Sequence, residues 1–256
     1  MKVALTTIAV SLLAALFLPA YAAADDAPAR RLMEQVYEQG RKHKSQRMDM
    51  EIVVRDPKGR ERVRLFKMLY RIIGDETRSL LRFYKPSDIK GTGLFNIVYE
   101  SGGRESDQWI YFPAFRRVNK LSAEEKHQSF MGSDFTNADI AGRKPHDDTH
   151  TMVKADGEVS VVSSVPRDPS DPYSRIESHI VNRIKVPERI LFYDRSGRLL
   201  KTLKSKRVVE TDSMFTIMEA EMSNHRTGGS TVMTKKSVNF KNIKPSQVTV
   251  SKLRNR

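Results

Sequence analysis

Residues 88–139 read DIKGTGLFNIVYESGGRESDQWIYFPAFRRVNKLSAEEKHQSFMGSDFTNAD. This stretch holds the only tryptophan of the chain, and in its runs GTGLF and DQWIYFPAFRRV polar and bulky residues alternate. Alternation with a period of two predicts β-strands that bury one face. The stretch carries no motif of a nucleophile with its base and no cluster of metal ligands. It therefore favours binding by shape and apolar contact.

Strand patterns continue on both sides of this stretch. Residues 46–54 alternate apolar and polar, and the DPKG sequence at 56–59 predicts a turn. In residues 62–73 bulky side chains fall on both faces, which predicts a sheet that is covered on one face and borders a cavity or helices on the other. Hairpin signals at 194–197 and 224–229 bring the total to roughly ten strands. The pattern predicts an antiparallel sheet or barrel.

Four segments between the strands have a different character. Residues 25–44 show the spacing of an amphipathic helix, with acidic residues at its start. Residues 127–135 predict a short strand, and 136–140 predict a short helix capped by Thr136. Residues 141–157 are polar and predict a long loop.

The N-terminus has the features of an export signal. A single lysine is followed by an apolar run over residues 3–20 and by the small-residue series AYAAA at 20–24. This pattern predicts a cleavable signal peptide at residues 1–24 and a mature single domain at 25–256 in an exported compartment. An uncleaved membrane anchor is the alternative. The chain has no cysteine, so it can form neither a disulfide nor a lipid-modified N-terminal cysteine.

The charge of the chain is strongly basic, with 45 lysines and arginines against 31 acidic residues and a formal net charge of +14. In a cytosolic protein this excess would first suggest nucleic acid as the partner. Export argues against nucleic acid and favours an anionic membrane surface or acidic faces of envelope proteins. General solubility is the alternative explanation of the charge.

Motifs of catalysis are absent from the sequence. The HDDTH run at residues 146–150 is the one cluster with metal-ligand chemistry, but it stands in a polar segment without a third anchoring element. No G-x-S-x-G elbow occurs. We therefore expect no enzyme activity, no metal site and no cofactor.

Methionine is frequent, with 11 in the chain. Because methionine adapts its shape, it is overused on surfaces that accept variable apolar ligands, although an ordinary core is the alternative for each one. Together with aromatic residues on both strand faces, these side chains indicate a lipid-accepting cavity. Those on predicted strands are Met48, Met50, Met68, Met131, Met214, Met218 and Met222.

The segments DIKGTGLF, DQWIYFPAFRRV and SFMGSDF resemble the outer-membrane lipoprotein-sorting (LolA-like) proteins, and YSRIESHI, VPERILFYDRSGRLLKT and HRTGGSTV resemble the C-terminal half of the same family. The resemblance implies a mainly β fold with flanking helices: a strongly curved antiparallel sheet, or incomplete β-barrel, closed by helices over an apolar cavity. It also implies a periplasmic carrier of lipids or acylated proteins towards the outer membrane. The branch it resembles is associated with RND-type exporters, which are the implied partner.

Two groups of residues are candidates for the site. We expect the first group to line or rim the cavity and the second to contact a headgroup, a membrane or a transporter, with a solvated loop as the alternative for the second. A sensor or exporter-accessory module without cargo is the competing function. The first group is Phe66, Met68, Phe95, Trp109, Tyr111 and Met131, and the second is Phe115, Arg116 and Arg117.

Overall fold

A single sheet of 13 strands dominates the computed structural model, which describes residues 25–101 and 103–254. The predicted signal peptide, residues 1–24, lies outside the described residues. The strands are β1 Ser45–Arg55, β2 Glu61–Ile73, β3 Glu76–Lys85, β4 Gly93–Tyr99, β5 Asp107–Phe112, β6 Arg117–Lys120, β7 Asp148–Lys154, β8 Val159–Pro166, β9 Tyr173–Val181, β10 Val186–Asp194, β11 Leu199–Thr211, β12 Met214–Asn224 and β13 Ser230–Asn239.

The sheet is antiparallel, curved and unclosed. Its strand order is β6-β5-β4-β3-β2-β1-β13-β12-β11-β10-β9-β8-β7, so almost every strand pairs with its neighbour in sequence. The exception joins β1 to β13, where Ile52 lies opposite Met233. Strands β6 and β7 are the two edges. This architecture confirms the predicted fold class.

The helices of the described residues are few and short, apart from the first. They are α1 Ala27–Gln39, α2 Ala123–Lys126 and α3 Asn137–Ala141, with 3₁₀ turns at Ser87–Ile89, Phe130–Gly132, Pro145–Asp147, Pro245–Gln247 and Val250–Leu253. Residues 121–147, here called the crossing segment, contain α2 and α3 and connect β6 to β7. Because those strands are opposite edges of the sheet, the crossing segment has to span its open side.

The crossing segment covers the inner face of β1–β4. Phe130 is buried there against Phe66 and Phe83, with ring centroids 6.3 and 5.7 Å away. Phe66 and Phe83 face the same side because they are cross-strand partners on β2 and β3. Aromatic pairs of this kind contribute about 0.5–1.5 kcal/mol each beyond their buried area. This half of the concave side is therefore filled by the protein's own side chains.

The outer face of β2–β5 is covered by the C-terminal segment, residues 240–254. Ile243, Val248 and Leu253 are buried against Phe95 and other apolar residues of this face. A Cβ atom at Gly93 would lie 2.9 Å from Leu253 Cδ2, so the absence of a side chain there lets Leu253 pack close to β4. Both faces of β2 are thus covered, as its two-sided apolar pattern predicted.

Two local predictions are wrong. Residues 127–135 form a 3₁₀ turn at Phe130–Gly132 instead of a strand, because Phe130 and Phe135 both turn inward onto the core. The predicted loop 141–157 contains strand β7, a polar segment that forms a strand because its backbone pairs with β8 at the sheet edge. The cap at Thr136 is confirmed: its hydroxyl accepts a hydrogen bond from Asp139 N at 3.0 Å.

Candidate ligand-binding cavity

A cavity of about 670 Å³ lies between α1, the crossing segment and the inner face of the second half of the sheet. Its apolar lining comes from strands whose inward residues alternate with outward polar ones, as at Ile176 and Glu177 on β9. Ligand cavities commonly fall between about 300 and 1,000 Å³ and have mostly apolar walls. The apolar lining residues are Met33, Val36, Val98, Ala123, Phe135, Ala138, Tyr173, Ile176, Ile180, Pro187, Ile190, Phe192, Leu203 and Met222.

Helix α1 forms one wall of this cavity. It buries Ala29 and Leu32 against Val162 and Ile180 of the sheet, while Met33 and Val36 line the cavity. Asp26 stands at the N-cap, but its carboxylate accepts a hydrogen bond from Met152 N of β7 (3.1 Å) and not from its own helix. The start of α1 is therefore fastened to the edge strand.

The end of α1 is fastened to the other half of the sheet through Glu100. Tyr37 donates a hydrogen bond to Glu100 at 2.8 Å, and Arg41 forms an ion pair with the same carboxylate. Arg41 also donates to Thr77 of β3 at 2.7 Å. Burial and the hydrogen bond to Glu100 raise the pKa of Tyr37, which keeps the phenol a donor. Helix α1 thus bridges the two halves of the sheet.

The rim of the cavity carries a buried ion network. Arg143 of the crossing segment pairs with Asp148 and, at 2.7 Å, with Asp171. Burial alone would lower the pKa of Arg143, but hydrogen bonds and charge from the two carboxylates outweigh it and raise this pKa. The network holds the end of the crossing segment against the second half of the sheet.

The aromatic centre of the cavity is the pair Tyr173 and Phe192, whose ring centroids are 4.9 Å apart. Tyr173 is only 4% exposed, and burial together with the nearby carboxylates of Asp139 and Asp171 raises its pKa. The phenol therefore stays neutral, as an apolar ligand in contact with it would require.

The structure does not bring the six predicted lining residues together. Phe66, Met68 and Met131 belong to the inner-face cluster of the first half, where the crossing segment covers the sheet. None of them lines the cavity, because Phe130 and its neighbours occupy the space above them. A role in ligand binding stays a prediction for these residues.

The other three predicted lining residues face the opposite side of the sheet. Phe95, Trp109 and Tyr111 pack in the outer-face cluster beneath the C-terminal segment, with the rings of Phe95 and Trp109 5.6 Å apart. The alternation along β4 and β5 places them together but does not reveal which face borders the cavity.

The predicted contact residues lie on the turn between β5 and β6. Phe115 is 71% exposed, and its ring meets Phe112 edge-on at 6.3 Å. Arg116 and Arg117 are exposed beside it, and Arg116 has a φ of +50°, a left-handed conformation that supports the tight turn. The turn presents an exposed aromatic ring that is followed by two cations.

The HDDTH run takes part in folding. His150 is fully buried, with Nδ1 2.8 Å from Ser164 Oγ and Nε2 2.6 Å from the Pro145 carbonyl. Within residues 25–101 and 103–254, no group of three or more His, Asp or Glu side chains is arranged to hold a metal ion.

Sequence reasoning missed most of the cavity wall. Tyr173, Ile176 and Phe192 stand on β9 and β10, and the only signal in the sequence is the alternation of these strands between apolar and polar residues. The sequence did not show that the crossing segment fills the concave side over β1–β4 and leaves a cavity over the second half of the sheet. Arg143 gives no signal in the sequence, because Asp148 lies in a polar segment that predicts a loop and Asp171 is 28 positions away.

Three comparisons place the chain among known proteins. A family model described as "Uncharacterized protein" matches residues 75–255. No curated protein matches the chain. No helix of the described residues has the length and apolarity needed to cross a membrane.

Solved structures show the same fold. An outer membrane lipoprotein-sorting protein domain from Vibrio parahaemolyticus is 24% identical, with a TM-score of 0.82 over 89% of this chain and 99% of that one. A DUF1329 family protein from Desulfovibrio piger is 22% identical, with a TM-score of 0.83 over 90% and 99%. A LolA superfamily protein from Nitrosomonas europaea is 19% identical, with a TM-score of 0.69 over 86% and 97%.

At identities below 25%, these likenesses show a shared fold. The chain belongs to the family whose model covers residues 75–255, and its fold is that of the LolA-like outer-membrane lipoprotein-sorting proteins.

Proposed function

We propose that the protein is a periplasmic carrier that binds an acyl chain of a lipid or acylated protein in the cavity beneath α1 and passes it towards the outer membrane. The observation that carries the proposal is the apolar wall around Tyr173, Ile176 and Phe192, in a cavity of about 670 Å³. Similarity to a lipoprotein-sorting domain supports it. An RND-type exporter is the proposed partner of this transfer.

The driving force would be the burial of the chain. Each methylene transferred from water to an apolar site contributes about 0.8 kcal/mol. A carrier also has to release its cargo, so a wall that adapts without a locked fit is favourable. Met33 and Met222 provide flexible side chains on opposite walls, on α1 and β12.

The turn between β5 and β6 is proposed as the contact with a membrane or partner. Phe115 is an exposed aromatic followed by Arg116 and Arg117. Aromatic rings and cations together suit the anionic surface of a membrane, since the ring enters the interface while the cations meet headgroups. The same turn supports the alternative, an exporter-accessory or regulatory module that carries no cargo.

Native mass spectrometry of detergent-free periplasmic protein, followed by lipid extraction, tests carriage directly. We expect an acylated species at about one per protein. Protein that is repeatedly empty and takes up no fluorescent acyl probe would reject carriage and favour the accessory module.

A pair of variants on one strand adds a matched control. Leu203 of β11 lines the cavity, whereas Val209 of the same strand is exposed. Leu203→Asp places a charge in the cavity and should weaken uptake of the acyl probe at least tenfold, because an unpaired carboxylate in an apolar site is costly. Val209→Asp should bind as the wild type does. Equal binding by both variants would remove the cavity from the proposed function.

A further inference from the structure

A second cavity, of about 370 Å³, adjoins the first at the end of α1. It is bounded by the end of the crossing segment, the β9–β10 turn, the start of β12 and Lys235 of β13. A single ligand can contact both cavities, since they have walls in common. The shared residues are Val36, Val98, Gly142, Arg143 and Pro187.

The charges around this second cavity are all positive. Arg41, Arg143, Lys185 and Lys235 line it, and no Asp or Glu stands among its described lining residues. The two arginines are already paired, Arg41 with Glu100 and Arg143 with two aspartates. Within the described part of the chain, the backbones of Lys185 and Lys235 are hydrogen-bonded, but neither side-chain ammonium group forms an ion pair or hydrogen bond. Two ammonium groups are therefore available to a ligand.

Two neutral polar groups in the same wall are also without a partner. Gln39 is 7% exposed and Thr216 is 9% exposed. Gln39 Nε2 and Thr216 Oγ1 make no hydrogen bond with the residues that the structure describes. An amide nitrogen and a hydroxyl can both donate. The wall of the second cavity thus presents a set of unused donors together with positive charge.

The first cavity has the opposite electrostatic character at its polar rim. Carboxylates there, such as Asp139, Asp147 and Asp168, outnumber the cations. An anionic group would be repelled by that rim and attracted to the second cavity, where the lining carries no negative charge. The two cavities therefore fit the two ends of one amphiphile.

We propose that the second cavity binds the anionic group, a carboxylate or phosphate, of an amphiphilic ligand whose apolar chain lies in the first cavity. Lys235 and Lys185 provide the charge, and Gln39 and Thr216 donate neutral hydrogen bonds. This inference rests on the proposed function, because the chain of the same ligand occupies the cavity assigned there. It adds a selection for acidic over neutral amphiphiles.

The ionisation of Lys235 agrees with this assignment. Burial lowers its pKa to about 8. The ammonium group is thus poorly stabilised by the protein alone, and an anion beside it would favour the charged form.

The test compares dodecanoate and dodecan-1-ol, two ligands of equal chain length, by displacement of a fluorescent acyl probe from the full mature protein at pH 7. Dodecanoate is kept below its critical micelle concentration and dodecan-1-ol below its solubility limit. We expect dodecanoate to bind at least about tenfold more tightly, the preference that one charge-assisted hydrogen bond of about 1.4 kcal/mol would give. Equal affinities in the wild type would overturn the anion site but leave the proposed carrier function intact. No binding of either ligand would instead refute the carrier function.

Variants of the two lysines test whether these side chains cause the preference for dodecanoate over dodecan-1-ol. Lys235→Met, alone and with Lys185→Met, should lower the affinity for dodecanoate about tenfold while the affinity for dodecan-1-ol stays within about twofold. Lys236→Met is the matched control, since the neighbouring side chain is 56% exposed, and it should keep the full preference. A preference that survives the double variant would overturn the assignment. A third experiment measures the binding of inorganic phosphate to the wild type. If phosphate binds as tightly as dodecanoate, the site binds free anions, and the proposal of an amphiphilic ligand is refuted.

Discussion

Replacing Lys235 by methionine should stabilise the empty protein. Lys235 stands half-buried in the second cavity without a carboxylate partner among the described residues, and burial lowers its pKa from 10.5 to about 8. Each pKa unit corresponds to about 1.36 kcal/mol, so the full shift is worth about 3 kcal/mol. Because the side chain retains some contact with solvent, we expect Lys235→Met to gain about 1–3 kcal/mol at pH 7.

The gain should depend on pH in a defined direction. Below pH 8 the folded protein carries the charged lysine and bears the whole penalty. Between pH 8 and 10.5 the unfolded chain binds more protons than the folded one, so the free energy of unfolding of the wild type rises with pH. The advantage of the variant should therefore shrink to about a quarter of its pH 7 value by pH 10.

Urea unfolding followed by the fluorescence of Trp109 measures this difference, since Trp109 packs against Phe95 in the described fold. Lys236→Met is again the control: its ion pair with Glu51 at 3.5 Å is on the surface, and its loss should change stability by less than about 0.5 kcal/mol. A Lys235→Met variant that is no more stable at pH 7, or whose gain persists unchanged at pH 10, would refute the assignment of an uncompensated buried charge.

Two further variants test the outer face and the closure of α1. Trp109→Ala should lower the free energy of unfolding by about 2–4 kcal/mol, because it removes part of the outer-face cluster. The affinity for an acyl probe should stay unchanged. Weaker binding by a well-folded variant would place Trp109 in the ligand site. Glu100→Gln removes the charge that holds Tyr37 and Arg41. Hydrogen exchange in α1 and dissociation of a bound probe should both accelerate about fivefold or more. Unchanged rates for both would show that other contacts hold α1 in place.

The sheet could be predicted from the sequence because its signal is local. Alternation along residues 46–54 and 62–73, with turn residues between, predicts the β1–β2 hairpin, and the structure pairs Met48 with Met68 across it. Thr136 was recognisable as a cap because capping depends on residues three positions apart. In each case the interacting groups are neighbours in the chain.

The cavity could not be placed because its position depends on which half of the sheet is filled. Phe130 and Phe66 are 64 positions apart in the sequence and meet only because β6 and β7 are opposite edges. The outer face was equally hidden: Leu253 covers Gly93 from the far end of the chain. An alternating strand shows two faces, but the segment that covers each face is determined by the tertiary structure.

The pairing of β1 with β13 has a consequence for the order of folding. Strand β1, near residue 50, pairs with β13, near residue 235. The two halves of the sheet therefore cannot join until β13 has been synthesised. The outer face of β4 is covered later still, when Val248 and Leu253 pack against it. During synthesis each half can form its hairpins, but Leu80 and Phe95 stay exposed to water until residues 243–253 pack over them. A chain that stops near residue 240 would contain all 13 strands of the described fold but would leave the apolar outer face of β2–β5 exposed, and such a patch favours aggregation.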